Sequence, residues 1–165
     1  MPSSPTAWIF AVHRRVVLLL ALVASFVGAA PLPYDESADA KAALQQALSS
    51  AKAAQRPVLL IFGANWCEDC IVLDQALKTG RNATLVAGEF EVVKIDVGRF
   101  NRNLDITRAY GDPIKKGIPA AVVLSADNRV LYSTKAGELA NARRMSETGI
   151  YDFFEDVVKA SRDKP

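Results

Sequence analysis

Apolar residues recur every three or four positions between residues 38 and 54, and Pro57 interrupts the pattern. This spacing predicts an amphipathic helix with one buried face. An unbroken apolar run, Val58 to Phe62, follows between Pro57 and Gly63. The run is too short for a helix and is typical of a strand that is buried on both faces. The folded part of the chain is therefore expected to begin with a surface helix and a central strand.

The same patterns predict the remaining helices and strands. Helices are expected at residues 68–79, 101–110 and 149–161, a short helical turn at 82–88, and strands at 90–97, 120–124 and 129–134. Asp127 and Asn128 form a turn signal that joins the last two strands in a hairpin, and residues 135–147 are expected to form a polar loop. Alternating strands and helices favour an α/β fold with a central, mainly parallel sheet, an antiparallel edge hairpin and helices on both faces.

A basic patch and an apolar run stand at the start of the chain. His13 to Arg15 precede the uncharged residues 16–30, which end in small side chains. This order is typical of a secretory signal peptide, with cleavage expected after Ala29 or Ala30. An uncleaved membrane anchor is the alternative, although a spanning helix needs about 20 apolar residues. The segment predicts that the protein is exported.

After this segment, the sequence is interpreted as a linker at residues 31–36 and a single domain at residues 37–165. Residues 1–30 contain two arginines and no acidic residue, so the mature chain has 18 basic and 18 acidic residues. This balance leaves no basic stripe of the kind that binds nucleic acid. His13 is the only histidine, so the mature chain has no imidazole for acid–base catalysis or metal binding.

Cys67 and Cys70 are the only cysteines, and they lie between the predicted strand at 58–62 and the predicted helix at 68–79. A helix N-terminus carries unpaired N–H groups and a partial positive charge, which favour a thiolate over a thiol. Cys67 is therefore predicted to be the attacking thiolate, and Cys70 the resolving thiol that releases a mixed disulfide. The alternatives are a structural disulfide, half of a zinc site shared by two chains, and a copper(I) site. A bridge across three residues restricts the unfolded chain little, which favours the redox interpretation.

Several short motifs between about Arg56 and Leu139 carry a family resemblance when they are taken together. They are Val58-Leu-Leu-Ile-Phe62, Trp66-Cys-Glu-Asp-Cys70, Tyr110-Gly111, Gly117-Ile-Pro119, Val122-Val-Leu124 and Gly137. With them the chain resembles the thioredoxin family and is similar to bacterial periplasmic thioredoxin-like disulfide reductases and isomerases. The resemblance implies a thioredoxin fold. It also implies a thiol–disulfide oxidoreductase of the reductase or isomerase type, which exchanges disulfides with protein thiols in the periplasm.

The resemblance implies roles for residues outside the cysteine pair. Pro119 corresponds to the family's cis-proline, which packs against the active-site disulfide. The backbone of Ile118 is expected to hydrogen-bond an extended substrate peptide, so that the peptide pairs with it like an added strand. Trp66 has two interpretations: it lines a substrate surface beside Cys67, or it is an aromatic side chain packed under the loop.

The dipeptide between the cysteines, Glu68-Asp69, departs from the familiar members of the family. Two carboxylates beside Cys67 oppose a negative charge on its sulfur, although they also suit a helix N-terminus. A poorly stabilised thiolate makes the reduced form less favourable. We therefore expect Glu68 and Asp69 to modulate the couple toward the reducing half of the range known for this fold, roughly −120 to −270 mV.

A second departure concerns the proton of Cys70. Many thioredoxins have a buried Asp in the strand before the motif, where this chain has Ile61. Glu68, Asp69 and Asp96 are the candidates to deprotonate Cys70 in its place. Asp96 ends a predicted strand, so a capping or turn role is the competing interpretation.

The expected partners are protein thiol or disulfide substrates and an upstream redox partner, with no nucleic acid. We expect a monomer, which contacts the membrane only if the N-terminal segment is uncleaved. No metal and no cofactor is expected besides the redox-active Cys67–Cys70 disulfide itself. Two other functional classes stay open: a redox-inert binding module with the same fold, and a metal carrier that uses the two thiolates.

Overall fold

The computed structural model describes residues 31–163 and shows five α-helices and four strands in that range. In chain order they are α1 Ala40–Ala54, β1 Val58–Gly63, α2 Glu68–Ala76, α3 Gly80–Glu89, β2 Glu91–Asp96, α4 Leu104–Ala109, β3 Ala120–Leu124, β4 Val130–Ser133 and α5 Glu147–Arg162. Two short 3₁₀ helices, Pro113–Lys116 and Ala142–Arg144, lie in the connections before β3 and α5. The predicted signal peptide and its cleavage site fall outside the described residues. None of the helices in the described range is long and apolar enough to span a bilayer.

Capping side chains set the start of the first and last helices. The Asp39 carboxylate accepts the backbone N–H groups of Lys41 and Ala42 at 3.0 Å each, where α1 begins. The Ser146 hydroxyl accepts the N–H of Gly149 at 3.0 Å, where α5 begins. Such caps stabilise a helix because they satisfy N–H groups that its first turn leaves unpaired.

The four strands form one mixed sheet in the order β2-β1-β3-β4. β1 is parallel to β2 and antiparallel to β3, and β3 and β4 form the expected antiparallel hairpin. The prediction of a mainly parallel sheet is therefore wrong, since only one of the three pairs is parallel. The reason is that β2 ends beside Gly63, and the chain then returns to the same end of β1, where Ala120 pairs with Phe62. A strand that starts at this end has to run back along β1.

Side chains of β1 point alternately into two apolar cores, as the pleat of a strand requires. Leu60 and Phe62 face the core that α1 and α4 cover, whereas Leu59 and Ile61 face the core that α2, α3 and α5 cover. The strand is buried along its whole length. The predictions of a doubly covered central strand and of helices on both faces are confirmed.

Three local predictions need correction. Residues 31–36 are not simply an exposed linker, because the Tyr34 side chain is 3 % exposed and its backbone N–H donates to Asn65 Oδ1 at 3.0 Å. The polar loop at 135–147 contains a 3₁₀ helix and buries Leu139 in the second core. The short turn predicted at 82–88 belongs to the ten-residue helix α3. In the first two cases side chains such as Tyr34 and Leu139 are buried although their connecting segments have no regular apolar pattern.

Candidate active site

Cys67 occupies the N-cap position of α2, directly after the loop that follows β1. Its backbone is extended, and the Cys70 N–H points at its sulfur from 3.2 Å. The two cysteines form a disulfide in which Cys67 is 6 % exposed and Cys70 is completely buried. The N–H groups at the start of a helix favour a negative charge on a sulfur at this position. The structure thus brings the two predicted cysteines together, with Cys67 as the more accessible one.

The segment before β3 lies against this disulfide. The Ile118–Pro119 peptide bond is cis, and the Ile118 carbonyl oxygen is 3.6 Å from Cys67 Sγ. Gly117 has a φ of +117°, which side chains of L-residues rarely allow, so a glycine is required at this turn. The pairing of Ala120 with Phe62 fixes the segment beside the end of β1. The expected cis-proline is therefore present at Pro119, next to the cysteine pair.

Trp66 lies on the surface beside Cys67. Its side chain is 46 % exposed, and its indole N–H donates to the Gly98 carbonyl oxygen at 2.8 Å. The ring of Phe100 contacts the indole edge-on, with 6.1 Å between the ring centroids, and the Arg99 guanidinium lies 5.6 Å from the indole centroid. The ring is therefore not packed under the loop, and its role as a substrate surface beside Cys67 stays a prediction.

Phe100 is a site residue that the sequence patterns do not indicate. It is 44 % exposed beside Trp66, and its backbone has a φ of +59°. A left-handed backbone costs a bulky residue roughly 1–2 kcal/mol, and such strain is concentrated at functional sites. An aromatic residue that is both strained and exposed points to a role for its ring at this surface. No local sequence signal distinguishes it from an ordinary loop residue.

Glu68 and Asp69 are held by Arg143 from the 3₁₀ helix before α5. The Arg143 backbone N–H donates to Asp69 Oδ1 at 2.9 Å, and its guanidinium pairs with Glu68 and lies 3.8 Å from Asp69. Because this distant cation faces both carboxylates, their combined charge at the Cys67 sulfur is smaller than that of two unpaired carboxylates.

A groove of about 510 Å³ runs past the disulfide. It is lined by Trp66, Cys67, Phe100, Ile118 and Arg143, among other residues. Its lining therefore combines aromatic rings, charged side chains and the backbone of the segment that precedes Pro119. This arrangement suits an extended chain segment better than a small, fully enclosed molecule.

Beneath the disulfide lies a group of buried polar side chains. Asp96, the last residue of β2, is 5 % exposed and lies 3.1 Å from an Arg102 nitrogen. Its side chain does not act as a helix cap; its backbone carbonyl accepts the Asn103 side-chain amide at 2.7 Å. Burial raises the pKa of the Tyr34 hydroxyl, and the charges of Asp74 and Asp96 raise that pKa further. The Tyr34 hydroxyl therefore stays protonated at neutral pH.

Residues 39–126, more than half of the chain, match the family model described as thioredoxin-like. The chain belongs to the thioredoxin-like family. The match includes both cysteines and the Ile118–Pro119 segment. The family that the sequence motifs indicate is thereby confirmed.

Solved structures agree with this assignment. The thioredoxin-like chain is 57 % identical to a disulphide isomerase from Xylella fastidiosa Temecula1, with a TM-score of 0.76 over 78 % of this chain and 98 % of that one. A DsbH oxidoreductase and a thioredoxin from Thermus thermophilus are each 18 % identical over 73 % of this chain, and 82 % and 84 % of their own chains are covered. Their TM-scores of 0.53 and 0.51 show the fold alone. None of the curated protein sequences compared with the chain matches it.

The thioredoxin fold predicted from the sequence is confirmed by these likenesses. A Cys-x-x-Cys disulfide at a helix N-terminus, in a chain of this family, supports the prediction of a thiol–disulfide oxidoreductase.

Proposed function

We propose that this thioredoxin-like chain exchanges disulfides with protein thiols in the periplasm, as a reductase or an isomerase. The observation that carries the proposal is the Cys67–Cys70 disulfide at the start of α2, with Cys67 lining an open groove beside the Ile118 carbonyl. A second chain can reach the sulfur of Cys67 there, while the sulfur of Cys70 stays buried. The 57 % identical disulphide isomerase from Xylella supports the same class of activity.

The reaction begins when the Cys67 thiolate attacks one sulfur of a substrate disulfide. That disulfide breaks, which leaves a mixed disulfide on Cys67 and one substrate thiolate. The Cys70 thiolate then attacks Cys67 Sγ, forms the intramolecular disulfide and releases the second substrate thiolate. The substrate gains two electrons and the cysteine pair loses two. In an isomerase, another substrate thiol attacks the mixed disulfide before Cys70 does.

Residues around Cys67 hold the substrate in this proposal. The Ile118 backbone borders the groove and hydrogen-bonds the substrate segment, which pairs with it like an added strand. Pro119 has no backbone N–H, so it places no such group near the sulfurs. Trp66 offers an exposed aromatic surface beside Cys67. Glu68 and Asp69, paired with Arg143, modulate the charge at the start of α2.

The proposal also covers location and partners. The basic and apolar pattern of residues 1–30 supports export to the periplasm, with removal of the segment after Ala29 or Ala30. The protein substrates and an upstream redox partner then exchange electrons with the same cysteine pair. One copy of the described residues contains both cysteines and the groove, which supports a monomer.

A trapping experiment tests the proposal. In Cys70→Ser protein the mixed disulfide cannot be resolved, so covalent complexes with protein substrates should accumulate through Cys67. Cys67→Ser protein is the matched control and should trap none. If Cys70→Ser protein also traps none, the chain is a passive binding module. If the reduced chain instead takes up one copper(I) ion per cysteine pair without trapping substrates, it is a metal carrier.

A further inference from the structure

Unpaired positive charge is concentrated on one part of the described surface. Within residues 31–163 most basic side chains pair with a carboxylate, but six exposed ones make no ion pair. These six are Arg99, Arg108, Lys115, Lys116, Lys135 and Arg144. All but Arg144 lie beside the disulfide groove or the cavities next to it, and we call these five the basic face. Charge is therefore unevenly distributed on a chain whose basic and acidic residues balance after residue 30.

A second cavity adjoins the disulfide groove at α4. It has a volume of about 400 Å³ and shares Phe100 with the groove. Arg108 and Lys115 belong to its lining. Arg99, which precedes Phe100, lies 5.6 Å from the centroid of the Trp66 indole. A chain segment that leaves the groove past Phe100 therefore enters a cavity bordered by positive charge.

A third cavity, of about 440 Å³, continues the surface along the 3₁₀ helix Pro113–Lys116. Its lining contains Lys115, Lys116 and Lys135. Two segments approach closely here, since a β-carbon at Gly137 would lie 2.7 Å from the carbonyl oxygen of Lys116. The loop that carries Lys135 is thereby held against the 3₁₀ helix. Lys116 also lines the disulfide groove, so the three lysines lie directly beside the site.

Few carboxylates oppose these cations. Asp112 lines the second and third cavities. The Glu138 carboxylate accepts the backbone N–H groups of Lys135 and Ala136, at 3.1 and 3.0 Å, so it faces its own loop. The two carboxylates between the cysteines pair with Arg143. The basic face therefore keeps an excess of positive charge next to the groove.

We propose that the basic face docks an acidic segment of the protein substrate, so that the chain prefers disulfides whose cysteine is flanked by aspartate or glutamate. This inference rests on the proposed function and names its substrate class. The cations are spread along adjoining cavities instead of converging on one point, which suits several carboxylates on an extended chain. Complementary charge speeds the encounter and fixes the register of the bound segment.

Peptides that carry one cysteine as a mixed disulfide with 2-thiopyridine measure this preference. When Cys67 of the reduced protein attacks the peptide sulfur, the peptide becomes linked to Cys67 and pyridine-2-thione is released, whose absorbance gives the rate. One peptide has a run of glutamates before the cysteine, one has the run after it, and the third has glutamines in both places. The rate of each peptide with 2-mercaptoethanol corrects for its intrinsic reactivity.

At least one acidic peptide should react about tenfold faster than the glutamine peptide at low ionic strength, because a surface of opposite charge steers the encounter. The advantage should largely vanish in about 1 M salt, where the screening length is about 3 Å. In Lys115→Gln/Lys116→Gln protein the ratio of the acidic to the glutamine rate should fall about threefold or more. Lys52→Gln/Lys159→Gln protein is the matched control, since it loses the same charge from exposed positions on α1 and α5 and should keep the ratio.

Three results would overturn the docking proposal while disulfide exchange stands. The first is an equal rate for acidic and glutamine peptides with the unmodified protein. The second is an equal fall of the ratio in both double variants, which would reflect net charge alone. The third is binding to phosphatidylglycerol vesicles that the Lys115→Gln/Lys116→Gln change abolishes, without any preference for acidic peptides. If no peptide releases pyridine-2-thione, the proposed function itself fails.

Discussion

Replacement of Gly63 by alanine tests the packing around the disulfide. The added β-carbon would overlap the ring end of Tyr34 and approach Cys70 Sγ to 3.0 Å, so Tyr34 has to move or the strand has to shift. Both groups are buried and neither is the free end of a surface side chain. Overpacking of this kind costs about 1–3 kcal/mol. Gly63→Ala protein should therefore unfold at a Tm lower by about 3 °C or more.

Thermal unfolding of the oxidised protein, followed by circular dichroism, measures this effect. Gly88→Ala is the matched control because a β-carbon at Gly88 in α3 meets nothing within 4 Å. That change should raise stability by about 0.5–1 kcal/mol, since alanine is the better helix former. The penalty at Gly63 should shrink in a Tyr34→Val background, because the overlapping ring is then absent. A Gly63→Ala protein that is as stable as the unmodified one would refute the packing described here.

Three further predictions concern the groove and the buried tyrosine. Phe100→Ala should raise KM for a protein disulfide substrate about threefold to tenfold with little change in kcat, because it removes exposed aromatic surface that takes no part in the sulfur chemistry. An unchanged KM would contradict a substrate role for Phe100. Arg143→Met should lower the reduction potential of the Cys67–Cys70 couple by roughly 10–20 mV in a glutathione titration, because loss of about 0.5–1 kcal/mol of charge compensation disfavours the Cys67 thiolate. The neighbouring Arg144→Met is the control. A shift of Arg143→Met protein to a higher potential would count against the Arg143 contacts. Because the pKa of Tyr34 is raised, the folded protein keeps the Tyr34 proton above about pH 10, where an unfolded tyrosine loses its proton. The free energy of unfolding should therefore fall with rising pH there by up to about 1.4 kcal/mol per pH unit. Denaturant unfolding between about pH 10 and 12 should show a shallower fall in Tyr34→Phe protein, and equal slopes would show that Tyr34 is not buried as described.

Local patterns in the sequence were enough to predict most of the elements. The apolar run at Val58 to Phe62 has no helical spacing and no polar face, so it could only be a buried strand, and the position of Cys67 between it and a helix followed directly. The direction of β3 could not be predicted in the same way. It depends on which end of β1 the chain reaches after α4, and nothing in the spacing of apolar residues encodes that.

The parts of the site that sequence reasoning missed come from distant segments. Tyr34 lies before the first helix, outside any regular apolar pattern, and its burial depends on the space that Gly63 leaves on β1. Arg143 meets Glu68 and Asp69 only because the segment before α5 packs on α2. Such contacts join residues about 30 to 75 positions apart, and a single sequence carries no local signal of them.

The reactivity of the two thiols in the reduced protein tests the central claim most directly. Iodoacetamide labelling at pH 7, with mass spectrometry to assign the modified cysteine, compares each thiol with a cysteine in an unstructured peptide. Cys67 should react faster than the peptide because the start of α2 stabilises its thiolate, whereas the buried Cys70 should react far more slowly. If Cys67 reacts no faster than the peptide cysteine, the helix does not activate it and the account of disulfide exchange is contradicted.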